Sequence, residues 1–109
     1  MAVDEDLAAR VRERVSRHAG WSEMRMFGGL GFLVDGNMAV GVLGSDLMVR
    51  VGRDADAAAL SRPGARPFDM TGRPMAGWVL VSSEGYGLEP DFAAWVDEGV
   101  AFASGLPPK

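Results

Sequence analysis

Cysteine is absent from this 109-residue chain, which removes disulfides, thiolate nucleophiles and thiolate metal sites together. Histidine occurs once, as His18, so a metal would have to rest on scattered carboxylates. No GxSxG elbow offers a nucleophile for that histidine to activate. No apolar run approaches the roughly 18 residues that cross a bilayer. The opening MAVDEDLAAR has neither the basic nor the apolar region of a signal peptide. The expectation is a cytoplasmic protein with no membrane segment, cofactor, metal or catalytic residues. Positive charge is scarce as well: 11 basic residues against 15 acidic ones leave a net charge of −4. An estimated pI of 4.8 is an electrostatic disadvantage for binding nucleic acid, although a local basic stripe could offset it.

What is present is an ordinary globular composition, 48% hydrophobic and 24% charged. The length suits one domain, 1–109, around one core. Residues 26–51 read MFGGLGFLVDGNMAVGVLGSDLMVRV. Three apolar, β-rich runs are punctuated there by Asp35-Gly36 and Gly44-Ser45-Asp46, the pattern of an antiparallel meander. The spacing predicts a first strand over 24–34, bent or bulged by Gly28, Gly29 and Gly31. Asp35-Gly36 suits a type I′ turn, in which both central residues take positive φ. Strands over 37–43 and 47–51 follow.

Around the meander, Leu7, Ala8, Val11 and Val15 make one stripe of a helix over 4–18, with Asp6–Arg10 and Glu13–Arg17 at ion-pair spacing. A short helix is expected over 54–61, an edge strand marked by Pro67 over 67–70, a strand over 77–83 and a loop over 83–88. The last helix starts near Pro90 and presents Phe92, Val96, Gly99 and Ala103. Gly99 in its middle lowers helix propensity by about 1 kcal/mol relative to Ala, so close approach of another backbone is expected there. The order is α-β-β-β-α-β-β-α, an α+β fold with an antiparallel five-stranded sheet and flanking helices.

Candidate sites are few. Gly28-Gly29-Leu30-Gly31 lies inside an extended apolar run with no Lys-Ser or Lys-Thr after it, which favours a bulge over a phosphate cradle. His18 falls near the apolar arc of its helix and reads as a capping or packed histidine. Asp54 and Asp56 are two apart and fall on different sides of a helix, so they are not an acid–base pair. Arg10, Arg14 and Arg17 share a side with Asp6 and Glu13, the pattern of a self-compensated, solvated face. Six of the seven methionines, Met24, Met26, Met38, Met48, Met70 and Met75, form a group in which Met70 and Met75 flank an exposed loop, where they would show at the surface with Trp78.

Met26-Phe27-Gly28-Gly29-Leu30-Gly31-Phe32, with the Asp35-Gly36-Asn37-Met38 hairpin after it, resembles the TfoX/Sxy N-terminal domain family. Ala65-Arg66-Pro67-Phe68, Thr71-Gly72-Arg73-Pro74-Met75 and Gly77-Trp78-Val79 continue the likeness, and the closing Leu106-Pro107-Pro108-Lys109 looks like the tail of its short, single-domain members. The resemblance implies an α+β fold similar to type III secretion chaperones. It also implies kinship with competence regulators that work beside the cyclic-AMP receptor protein at promoters. Those founding regulators carry a second, helix-hairpin-helix-like domain that does not figure here, and the family supplies no established catalytic residues.

Arg50 and Arg73 lie in segments that carry the likeness and have no obvious local partner. Each could grip a carboxylate or phosphate, or close an ion pair inside the fold. The leading expectation is a non-enzymatic regulatory module that binds an unidentified protein partner, with Arg50, Arg73, Met75 and Trp78 as candidate interaction residues. An anionic small-molecule site or enzymatic domain is the alternative. A DNA-binding regulator comes third, disfavoured by acidic charge and the lack of the second domain. A homodimer through a free sheet edge is a further expectation, with the edge unspecified.

Overall fold

The computed structural model describes residues 3–26, 28–69 and 72–109. Asp4 starts the first helix, α1 (Glu5–Val15), by accepting a 3.1 Å hydrogen bond from the Leu7 amide. The expected stripe of Leu7, Ala8, Val11 and Val15 is buried. Beyond Val15 the chain turns, and the exposed His18 accepts a backbone bond from Trp21 N, so it does not edge the core.

The strand expected over 24–34 is instead two, β1 (Trp21–Met26) and β2 (Gly29–Val34), paired antiparallel with Met26 opposite Gly29. Gly28, at φ +77°, takes part in the reversal between them, so the glycine run turns the chain where a bulge was expected. β3 (Asn37–Leu43) and β4 (Asp46–Arg50) complete the meander. Asp35 at φ +52° and Gly36 at +82° make the expected positive-φ turn. In the next turn Gly44 alone is positive, at +61°, the pattern of type II′.

A 3₁₀ turn (Arg53–Ala55) leads into α2 (Asp56–Leu60), then β5 (Ala65–Pro67) and β6 (Trp78–Val81). The edge strand thus starts and ends earlier than expected, and Met70 lies outside the described residues. The loop expected over 83–88 contains a one-turn helix, α3 (Ser83–Tyr86), before α4 (Glu89–Ser104). Four residues are too few to show helical periodicity in a sequence. The sheet therefore has six strands, not five, in the order β1-β2-β3-β4-β6-β5. It is an antiparallel α+β arrangement with helices against it.

One sheet face forms the core through Leu30, Phe32, Val40, Val42, Leu47, Val49, Val79 and Val81, with α1 and α4 packed against it. A register shift between Phe32 and Leu33 skips Ala39, which falls between their partners Val40 and Met38. α4 crosses the sheet at that bulge: a Cβ on Gly99 would lie 2.5 Å from Ala39 O and 2.7 Å from Val40 Cγ1. That is the close backbone approach the helical glycine implied.

Trp95, buried on the same helix, donates to Gly85 O on α3 at 3.2 Å. The tail is also held. Asn37, buried at the start of β3, donates to Pro107 O at 3.0 Å, and Lys109 N donates to Asp35 O at 2.8 Å. Among the described residues no helix is long and apolar enough to cross a membrane.

Gly99→Ala separates helix propensity from packing. Propensity favours alanine by about 1 kcal/mol, whereas overpacking costs roughly 1–3 kcal/mol. Urea denaturation should show a net loss of up to about 2 kcal/mol. A stabilised variant would contradict the close approach.

Candidate functional site

Charge bookkeeping locates the site. On α1 and the turn after it, Arg10 pairs with Glu89, Arg14 with Asp97 at 2.7 Å, Arg17 with Glu13 at 3.0 Å and Arg12 with Glu23 at 2.7 Å. The expected Asp6–Arg10 pair is replaced by a bond across to α4, and Asp97 and Glu98 of α4 are both engaged. Glu98 meets Arg62, whose guanidinium lies 3.4 Å from the centre of the Trp95 ring. Arg66 binds Asp46 from the edge strand.

Hydrogen bonds from Arg12 and Arg14 hold the Glu23 and Asp97 carboxyls below their usual ranges. Their depressed values mean this stabilisation is present above the ordinary carboxylate range and is lost as pH falls through the lowered ones. These six arginines are structural clamps. The groove of about 550 Å³ along α1, lined by Arg10, Arg14, Arg17 and Phe92, therefore offers no uncommitted charge.

Arg25, Arg50, Arg53 and Arg73 make no ion pair among the described residues. Arg50 and Arg53 line a second groove, of about 630 Å³, with Met75, Trp78 and Phe102. Arg50 ends β4, opposite Trp78 on β6. Its guanidinium lies 4.8 Å from the Trp78 ring centre and 5.3 Å from that of Phe102, and it donates to Met38 O at 3.4 Å. Two aromatic faces thus orient the fork while leaving donors unassigned.

The groove's shape depends on two glycines. Gly52, at φ +87°, carries the chain from β4 toward Arg53, and a Cβ there would run into the Phe102 ring. Gly77, at φ +91°, packs backbone to backbone against the same turn, and a Cβ there would lie 3.0 Å from both Gly52 C and Arg53 N. Val51 N and Gly52 N both donate to Gly77 O, at 2.8 and 3.0 Å. Asp56 Oδ1 accepts from Gly77 N at 2.9 Å, so that carboxylate is occupied with the loop. Among the described residues no acidic side chain lines the groove.

Of the four candidate residues, Arg50, Met75 and Trp78 meet in this groove. Met75 is 42% exposed. Arg73 is exposed on the 72–76 loop and does not line it. Arg53 and Phe102 escaped sequence reasoning because the fold alone brings the 3₁₀ turn and the end of α4 to one place. The Arg-Val-Gly-Arg run from Arg50 to Arg53 was the available signal, two arginines astride a glycine at a strand end. Among the described residues no three metal-ligating side chains cluster. What the groove can do is seat an anion beside apolar surface.

A family model for the TfoX N-terminal domain matches residues 13–103, and the chain belongs to that family. No curated protein and no solved structure matches it.

Arg50→Ala and Arg53→Ala should part company in thermal or urea melts. Losing two ring contacts at about 0.5–1 kcal/mol each should cost the first variant about 1–2 kcal/mol. The second should stay within about 0.5 kcal/mol of the parent. Equal losses would show that Arg53 is a structural residue too.

Proposed function

We propose that this member of the TfoX N-terminal domain family is a non-enzymatic interaction module that takes an acidic segment of a partner protein into the Arg50–Arg53 groove. One observation carries the reading: two arginines line an aromatic-walled groove with no carboxylate among its described lining residues to neutralise them. Guanidinium forks grip carboxylates bidentately, and Trp78, Phe102 and Met75 add the apolar area on which interface energy concentrates. The adaptable thioether of Met75 suits a peptide surface. The net charge of −4 keeps the body of the protein away from nucleic acid. A competence-type regulator with this domain would act in the cytoplasm through protein contact, beside a partner that reads the promoter.

A second reading rests on size. A groove of about 630 Å³ falls within the roughly 300–1,000 Å³ of small-molecule sites, so an anionic metabolite is the rival occupant.

A photo-crosslinking residue at Met75 should give discrete protein adducts in the native cell. Arg53→Glu should abolish them at an unchanged melting temperature. Adducts indifferent to Arg53→Glu would sink the peptide reading. Stabilisation of about 2.7 kcal/mol by an acidic metabolite at 100 times its Kd would move the assignment to the rival.

A further inference from the structure

We propose that the chain pairs with a second copy of itself through the free edge of β1, in the register that centres on Met24. The sheet has two edges, β1 and β5. β5 is three residues long, ends in Pro67, which has no amide hydrogen to donate, and has Arg66 tied to Asp46. β1 is six residues long, contains no proline, and carries Met24 at 49% exposure, one of only three large apolar side chains so exposed among the described residues. Native sheets usually blunt such an edge.

The geometry of the β1–β2 hairpin says which groups are free. Met26 and Gly29 face each other across a two-residue turn and form its closing hydrogen-bonded pair. Alternation then turns the main-chain groups of Ser22 and Met24 into β2 and those of Trp21, Glu23 and Arg25 outward. Trp21 N fits this alternation, since it bonds His18 O at 3.3 Å and not β2.

Two copies of β1 meeting antiparallel must oppose outward residues to outward residues. A register centred on Glu23 sets carboxylate against carboxylate, and one centred on Arg25 sets guanidinium against guanidinium. The register centred on Met24 sets each Glu23 opposite the other copy's Arg25, twice by symmetry, with Met24 against Met24 at the closer, non-hydrogen-bonded position. The strand is thus self-complementary in one register and self-repelling in its neighbours, as an isologous two-fold contact requires.

Two side chains are already disposed for this. Glu23 is held by Arg12 through Nε at 2.7 Å and Nη2 at 3.0 Å, and its side chain keeps 30% of its exposure. A carboxylate accepts about four hydrogen bonds, so the second copy's Arg25 completes it. Arg25 is exposed and has no ion pair among the described residues. Pairing joins two six-stranded sheets into one continuous sheet. Arg50 and Trp78 lie on β4 and β6, beyond β2 and β3 from the joint, so both grooves stay open in the dimer. Two grooves on one particle raise avidity for a partner with repeated acidic segments.

Charge reversal and mixing decide the matter. In sedimentation equilibrium the parent should show twice the 11.6 kDa chain mass in a concentration-dependent manner. Arg25→Glu and Glu23→Arg should each sediment as monomers with unchanged circular dichroism. Mixed in equal amounts they should dimerise. The glutamate introduced in one variant then faces the arginine introduced in the other, and the remaining native Glu23 faces the remaining native Arg25. Arg25→Glu breaks no ion pair among the described residues but gives up the attraction of Arg25 for Glu23 on its own strand, so circular dichroism of each variant is read beside its mass. A parent that is monomeric at every concentration, dimers that persist in Arg25→Glu, or a mixture that stays monomeric would each overturn the proposal.

Discussion

α4 can lie across the sheet only because residue 99 has no side chain. Ala39 O sits 2.5 Å from where a Cβ would be, at the bulge that β3 makes against β2. Much else is measured from that contact. Four residues before it, Trp95 reaches Gly85 and lies under Arg62. Two residues before it, Asp97 reaches Arg14 and ties α1 to α4. Three residues after it, Phe102 arrives over Gly52 and beside Arg50. A helix lifted off the sheet by one methyl group would loosen the core and open the aromatic wall of the groove together.

The same packing divides the arginines into two populations. Those on α1, on β5 and before β5 are spent on carboxylates, mostly of other elements, and they fasten helix to helix and helix to strand. Exposed pairs of this kind contribute little stability individually, in the range of about 0–1 kcal/mol, but they neutralise the surface they cover. Among the described residues Arg25, Arg50, Arg53 and Arg73 make no ion pair, and of these Arg50 and Arg53 line one groove, in a protein whose net charge is −4. An acidic protein that keeps two uncompensated arginines beside Trp78 and Phe102 offers an anion both charge and apolar surface there.

How much of this is legible in the sequence follows the range of the interactions. Asp35-Gly36 is legible because turn chemistry is local, and Gly99 because a mid-helix glycine demands a compensating contact. The hairpin between β1 and β2 reads instead as one bent strand, since glycines in an apolar run mark a bend and a reversal alike. α3 is invisible because Ser83–Tyr86 has no room for a period. Arg50, Met75 and Trp78 stand out separately, and topology makes them neighbours. Arg53 and Phe102 do not stand out, because they lie on a 3₁₀ turn and a terminal helix that are distant in sequence and come together in the fold beside Gly52. The free edge is unreadable until the strand order puts β1 outermost.

The central claim is that Arg50 and Arg53 form one anion-accepting site, with two arginines unpaired among the described residues lining a single groove. Amide and side-chain nitrogen NMR during titration with a glutamate-rich peptide carrying a phenylalanine tests it most directly. Saturable shifts should be confined to the Nε groups of Arg50 and Arg53, the Gly52 and Gly77 amides and the Trp78 indole. Shifts centred on the arginines of α1, or none at all, would contradict it.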